Sequence, residues 1–477
     1  MGKHPKPVTA LLLVLCLAVS CAVNPVTGER ELSLISEEGE ISLGRETDVS
    51  IRQTFGLYDD PKLAAYVSGV GMKMAPLTHR PHLPYSFQVL DTPVINAFAV
   101  PGGYIYVTRG ILALMNSEAE LAAVLGHELG HVNARHSVRR LSQMILIQVG
   151  LAVGSALNDT FAQLAGVAGL GIQVLYLKYS RDDERQADAL GVDYARRASY
   201  NPGPMIGFFD SLQKLGDLSG GRSLPGFLST HPLEADRIKN VTALLDPADN
   251  RLAVRNEEYL ARVDNIIYGD DPRQGYAEAG AFYHPTLRFQ FIPPEKWVLE
   301  NTPRQVQMIS PDKQAAFLLE VEQSQDSLQG YAAKKAQSLE NRRLLDDQSL
   351  TINGLASYHQ LYDIPQAEAE TLRARLSFIR KESMIYSFTA LSTTAQFGKF
   401  DNQFFRVVRS FRDLSDPRFI NRQPARLLLV QADGRQSLEA LFQARGVKKD
   451  LWPKLAIQNG LELTQVPAAG RRVKIVR

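Results

Sequence analysis

The chain has 477 residues, 45% of them hydrophobic, and a formal net charge of +2. That size and apolar content predict two or three globular domains. The near-neutral balance, with no basic patch, excludes nucleic acid as a partner.

The first 21 residues read as a targeting segment. Lys3 and Lys6 form a short basic region, and Val8 to Val19 is a mostly apolar run. The run is too short to span a bilayer comfortably and has the length of a signal-peptide core. It ends Ala18-Val19-Ser20-Cys21, which resembles a bacterial lipoprotein box with Cys21 as the lipidated first residue of the mature chain. Ordinary cleavage and an uncleaved anchor are the competing readings. Ala22 in place of Asp points to the outer rather than the inner membrane. The only cysteines are Cys16 and Cys21. Cleavage removes one and acylation consumes the other, so no disulfide is expected in an oxidising compartment.

Asn24 to Gly28 is turn-rich, and helical patterns follow over Glu37 to Glu46 and Leu63 to Met74. Tyr85 to Asp91, Val94 to Val100 and Tyr104 to Thr108 read as strands, the last two joined by Pro101-Gly102-Gly103. An edge strand here, offering Asn96, Ala97, Phe98, Tyr104, Ile105 and Tyr106, can pair with a peptide backbone through main-chain hydrogen bonds. A plain structural hairpin is the alternative.

The chain is organised around His127-Glu128-Leu129-Gly130-His131. On a helix, residues four apart leave one face about one turn apart. That separation suits two imidazole ligands of one tetrahedral zinc, with Glu128 beside them as a general base toward water. The bland alternative is two ordinary histidines. A chance match to the pattern in a chain with nine His is about one in a hundred, so the metal reading prevails. Ser117 as N-cap and Glu120 at N3 predict a capping box, and the helix is expected to run to about Leu141. Gly126 and Gly130 each weaken it by about 1 kcal/mol relative to Ala, which calls for close packing against a neighbour or a metal.

Met144 to Tyr176 is apolar and rich in Gly and Ala, and reads as a helical hairpin packed over or beside the site, with a gating lid or a membrane-dipping element as further readings. Ser180, with Asp183 at N3, opens another helix. A zinc held by two histidines needs a third protein ligand, for which Glu184 on this helix is the candidate. Asp188, one turn on, is placed to hydrogen-bond a ligand histidine.

Together, His127-Glu-Leu-Gly-His131, Glu184-x-x-Ala187-Asp188, Thr230-His231-Pro232, Asn96-Ala-Phe-Ala and Pro101-Gly-Gly resemble the HtpX/CAAX prenyl protease-like family of zinc endopeptidases. The lipoprotein-like start and Asn24-Pro-Val-Thr-Gly resemble its periplasmic lipoprotein branch, linked to quality control of envelope proteins. The resemblance covers roughly Cys21 to Leu245. It implies a mainly α-helical zincin-type peptidase domain with a small β-sheet and one Zn2+ on His127, His131 and Glu184, with Glu128 as base. It also implies that His231 lies near the metal, either stabilising the oxyanion or occupying the open coordination position in a latent state. Arg237 would support substrate or Asp188. His136 reads as a supporting or surface residue. Protein or peptide substrates of the envelope are the implied partners, with cell-wall peptides and a chaperone-like binding role as competing functions.

The expected domains are residues 1–21 as signal peptide, 22–255 as peptidase, 256–280 as linker, 281–415 as an α+β domain and 424–477 as a small third unit. The α+β domain offers strands near Leu287 to Phe291, a hairpin about Ser310 to Lys313, a helix over Ser327 to Leu339 and strands over Leu376 to Phe388. Its His284 and His359 read as structural. The tail has the order strand, helix, helix, strand and resembles a LysM-like α/β module, which would bring peptidoglycan within reach as a partner.

Overall fold

The computed structural model describes residues 21–152, 178–220, 226–232, 235–366 and 370–477. No helix among them is long and apolar enough to cross a membrane. The signal stretch before Cys21 and most of the expected hairpin over 144–176 lie outside the described residues. The chain forms two compact units. One comprises the described residues of Met1–Arg52, Gly56–Gly269 and Ala425–Arg477; the other comprises Gln53–Phe55 and Asp270–Pro424.

In the first unit, β1 (Cys21–Val23) pairs with β2 (Arg30–Leu32). Helices α1 (Glu37–Phe55) and α2 (Pro61–Met74) follow. Ser36 caps α1 through the Gly39 N–H, and Asp60 caps α2 with Pro61 at the first helical position, where its missing N–H costs nothing. A three-stranded sheet has the order β3 (Ser86–Leu90), β5 (Tyr104–Thr108), β4 (Ala97–Val100). The β3–β5 pair is parallel and the β4–β5 pair antiparallel. A short helix α3 (Arg109–Leu114) leads into α4 (Glu118–Asn133), all of whose residues are buried. Then come α5 (His136–Ala152), α6 (Arg181–Arg197), α7 (Pro204–Leu218), α8 (Gly226–Thr230), α9 (Ala235–Leu244) and α10 (Asn256–Val263).

The two glycines of α4 have the neighbour their helix cost calls for. A Cβ on Gly126 would lie 2.9 Å from the Gly191 carbonyl oxygen, and one on Gly130 would lie 3.0 Å from the Ala187 backbone. Small residues on both sides bring α4 and α6 into backbone contact, which sets the depth at which their polar side chains meet. The helix is shorter than its pattern suggests. It ends at Asn133, and Arg135 turns left-handed at φ 55° before α5 begins. The Arg135 side chain holds this turn by donating to Glu40 Oε2 at 3.0 Å and to the Ile35 carbonyl at 2.8 Å.

The tail joins the first unit. β13 (Leu427–Gln431) pairs antiparallel with β14 (Arg472–Val476), and α13 (Leu438–Ala444) and α14 (Trp452–Gln458) lie between them in sequence. Sequence pattern alone sets 424–477 apart as a third unit. In the structure Leu427, Leu441, Leu455, Val473 and Ile475 belong to the same apolar core as Leu121 and Leu125 of α4. Elements of five to seven residues show an apolar face without showing what covers it. Likewise, α10 falls in the stretch expected to be a linker and packs Tyr259 and Val263 into that core.

The second unit is α+β. A seven-stranded antiparallel sheet has the order β9-β10-β11-β12-β8-β7-β6, where β6 is Val298–Asn301, β7 Gln305–Ile309, β8 Ala315–Gln323, β9 Arg343–Ile352, β10 Leu355–Ile364, β11 Leu372–Lys381 and β12 Met384–Thr393. A helix, α12 (Thr394–Ser410), packs Phe397, Phe400 and Phe404 against Phe317 and Phe388. Helix α11 (Leu328–Ala336) precedes it in the chain. His359 is bonded between Ser357 and Ser377 hydroxyls at 2.9 and 2.8 Å, and His284 Nδ1 accepts the Leu287 N–H at 3.2 Å. Both histidines have structural partners.

Candidate metal centre

Four side chains converge under β4. His127 and His131 come from α4, Glu184 from the first turn of α6, and His231 from the end of α8. One ligand atom from each lies within 4.8 Å of the others, and all four residues are buried. The start of each element is locally determined. Ser117 Oγ accepts the Glu120 N–H at 3.1 Å, while the Glu120 carboxylate reaches past the cap to the Asn116 N–H at 2.8 Å. Ser180 and Asp183 form the expected reciprocal capping box on α6. The Phe227 N–H donates to the Ile95 carbonyl at 2.8 Å, which ties α8 to the chain two residues before β4.

The separations match the edges of a small tetrahedron. His127 Nε2 is 3.0 Å from His131 Nε2 and 3.2 Å from His231 Nδ1. Glu184 Oε2 is 3.6 Å from His127 Nε2, and Glu184 Oε1 is 3.5 Å from His131 Nε2 and 2.9 Å from His231 Nδ1. Metal–nitrogen bonds of about 2.0–2.1 Å place tetrahedral donors about 3.3 Å apart. Three imidazoles and a carboxylate at these spacings, with no competing donor between them, fit a zinc ion.

A second layer orients the donors. Asp188 Oδ1 lies 2.9 Å from His127 Nδ1, which turns Nε2 toward the centre. Arg237 grips Asp188 with Nε to Oδ2 at 2.9 Å and a second nitrogen to Oδ1 at 2.7 Å, and reaches Glu184 Oε2 at 2.8 Å. Burial opposes ionisation of Asp188, but Arg237 and His127 outweigh it and hold the carboxyl below its ordinary range. Glu184 behaves alike: burial would raise it, yet His231 and His131 keep it well below. His131 is held well below the usual imidazole range, chiefly by burial.

Glu128 is different. It is fully buried, and neither carboxylate oxygen makes a close hydrogen bond among the described residues, the Ala99 backbone being the one polar main-chain group that acts on it. His231 Nε2 lies 3.6 Å from its Oε1. Burial pushes its pKa up, against the pull of His231 and His127. A carboxylate kept bare at such cost beside a metal-type donor set is placed for proton transfer.

Around His131 lie one residue that sequence reasoning names, His136, and aromatic rings that it misses. His136 Nδ1 lies 2.9 Å from His131 Nδ1, and its Nε2 is 2.9 Å from Gln186 Oε1. The left-handed turn at Arg135 swings His136 back; a continuous helix would not. Tyr179 stacks on His131 at 3.9 Å and on His231 at 5.3 Å between ring centroids, with Phe227 stacked on His231 at 4.7 Å. No spacing rule links these aromatics to the centre. The edge-strand expectation needs correction for Tyr104, Ile105 and Tyr106. They lie on β5, which is bonded to β3 on one side and β4 on the other, so its main-chain groups are taken. Ala97 and Phe98 are on β4, the edge of this sheet among the described residues, with Asn96 just before it.

Fold and site together define a metallopeptidase-type centre built on His-Glu-x-x-His with a downstream Glu. Residues 61–245 match the model of Peptidase family M48. Relatives include the beta-barrel assembly-enhancing proteases of Escherichia coli K12, 31% identical over 263 residues, and of Yersinia pestis, 29% identical over 259. Those alignments cover 52% of this chain and 53% and 52% of the relatives. The mitochondrial metalloendopeptidase OMA1 of Schizosaccharomyces pombe is 27% identical over 228 residues, 47% of this chain and 66% of that protein. The chain thus spans about half the length of the bacterial relatives it matches.

Proposed function

We propose that the chain is a zinc-dependent endopeptidase of the bacterial cell envelope that cleaves misfolded or misassembled envelope proteins. The single observation that carries this reading is the bare, buried Glu128 carboxylate beside four convergent donors. A metal site kept for structure alone needs no such group. When bound by His127, His131 and Glu184, zinc supplies Lewis acidity toward a water and the scissile carbonyl. Glu128 accepts the proton of the water and delivers it to the leaving amine. Ala97 and Phe98 on the free edge of β4 hold the substrate backbone in an extended form. Asp188 and Arg237 keep His127 and Glu184 aimed. His231, held between Phe227 and Tyr179, donates to the developing oxyanion. Lipidation at Cys21 holds the enzyme on the periplasmic face of the envelope, at the outer membrane, and the tail acts as a LysM-like module with peptidoglycan as its partner.

A second reading has its own support. His231 Nδ1 sits within the donor set, 3.2 Å from His127 Nε2 and 2.9 Å from Glu184 Oε1. In that position it serves as the fourth donor of a latent form, which then acts mainly as a binding protein until His231 withdraws.

The test uses the soluble chain starting after Cys21. Zinc content and casein cleavage are measured on wild type and Glu128→Gln. One zinc in both, with cleavage by wild type alone, supports the protease. Zinc in both and cleavage in neither favours the latent form.

A further inference from the structure

Lys474, on the last strand of the tail, is 1% exposed, which is rare for an unpaired ammonium. Its Nζ donates to three successive carbonyls, Ala113 at 3.1 Å, Leu114 at 3.0 Å and Met115 at 2.5 Å, and lies 3.4 Å from the Gln458 carbonyl. The first three sit at the C-terminal end of α3, where helix geometry leaves carbonyls without partners and the helix dipole favours a cation. An ammonium has three N–H donors, enough for all three. The strand bearing Lys474 is itself fixed. Asn459 Oδ1 accepts the Lys474 N–H at 2.8 Å, and Asn459 Nδ2 donates to the Lys474 carbonyl at 3.0 Å.

The position of this contact matters. Two residues after Met115 comes Ser117, the N-cap of the helix that carries His127, Glu128 and His131. Glu120, in the first turn of that helix, is 8% exposed and accepts the intervening Asn116 N–H. The start of α4 therefore hangs between a carboxylate of its own and an ammonium supplied by the tail. Burial draws Lys474 down to about 7 and Glu120 up to about 7, and each partly restores the charge of the other, as expected of neighbours sharing one dry pocket.

We infer that the tail is a built-in brace of the peptidase and that Lys474 is a positioning residue, fixing the start of the metal-binding helix and through it the placement of Glu128. This role rests on the peptidase reading for its catalytic consequence and is independent of any ligand the tail binds. It also means that the tail is held by its inner face, because Leu427, Leu455, Val473 and Ile475 share the core with α4.

The experiment compares full-length wild type, Lys474→Met and Lys454→Met. Lys454 is a cation of the same tail that lies over the Tyr268 ring at 5.1 Å and makes no contact with α3 carbonyls, so it controls for loss of a tail charge. Two quantities are read at a temperature where circular dichroism shows all three folded: kcat and KM on a short peptide, and hydrogen exchange of the amides of residues 117–122. Lys474→Met is expected to lower kcat about tenfold with KM within twofold, since small misplacement of a catalytic group costs rate, and to speed that exchange about tenfold. Lys454→Met is expected to match wild type in both. Should Lys474→Met fail to fold, Lys474→Gln, which keeps an N–H donor, is read by the same criteria. A folded Lys474 variant with wild-type kcat and wild-type exchange overturns the brace. If wild type itself does not cleave, the peptidase reading fails, and the exchange measurement still decides whether Lys474 sets the start of α4.

Discussion

Gly191→Ala probes the helix crossing on which the metal centre depends. A Cβ at Gly191 would lie 2.9 Å from the His127 nitrogen and 3.2 Å from its Cα. Both are backbone atoms of a wholly buried helix, so no flexible side chain can yield. Ordinary contact begins at about 3.4 Å, and α4 and α6 must separate by about half an ångström. Overpacking of this kind costs about 1–3 kcal/mol. The same displacement draws Glu184 and Asp188, on α6, away from His127 and His131, on α4, and should weaken zinc binding about tenfold or more. The control is Gly207→Ala on α7, where a Cβ meets nothing within 4 Å. That change should stabilise by about 0.5–1 kcal/mol through helix propensity. Urea unfolding of the metal-free protein and chelator competition for zinc give the two quantities. A Gly191→Ala protein with wild-type stability and wild-type zinc affinity would refute the claimed rigidity of the crossing.

Two further outcomes follow from buried charges. Arg237→Met leaves the carboxylates of Asp188 and Glu184 without their buried cation, so the metal-free protein should lose about 3–5 kcal/mol; added zinc should recover part of it, and equal losses with and without zinc in urea titrations would count against the pairing. In the second unit, burial and then Arg375 and Arg409 hold His359 down at about 4, from an ordinary 6.5. A depressed histidine makes the unfolded chain bind more protons between those values, so its contribution is complete above about pH 6.5 and is lost as pH falls toward 4. The loss is on the order of 3 kcal/mol. His359→Gln should flatten the pH dependence of that unit's unfolding by this amount, and an unchanged slope would contradict it.

The chemistry was legible in the sequence because it rests on fixed spacings along helices. His127 and His131 had to share a face if helical, and Ser180 with Asp183 marked where the helix of Glu184 starts. The cost of Gly126 and Gly130 foretold a close neighbour without saying that it would be Ala187 and Gly191. What escaped depends on turns and on contacts distant in sequence. Arg135 breaks a pattern that reads as continuous helix, because a long-range bond to Glu40 holds the left-handed turn. Tyr104 to Tyr106 alternate as any strand does, and alternation does not tell an edge from a centre. Lys474 carries no signal in its own neighbourhood, since only the fold brings it to the carbonyls of α3, some 360 positions earlier in the chain.

The most direct test of the central claim is X-ray absorption at the zinc edge on the purified chain. One zinc per chain is expected, four-coordinate, with imidazole nitrogens at about 2.0–2.1 Å and oxygen completing the shell. His231→Ala then distinguishes three imidazoles from two. A chain that holds no zinc at neutral pH, or keeps the same spectrum after His127→Ala and His131→Ala, would contradict the site.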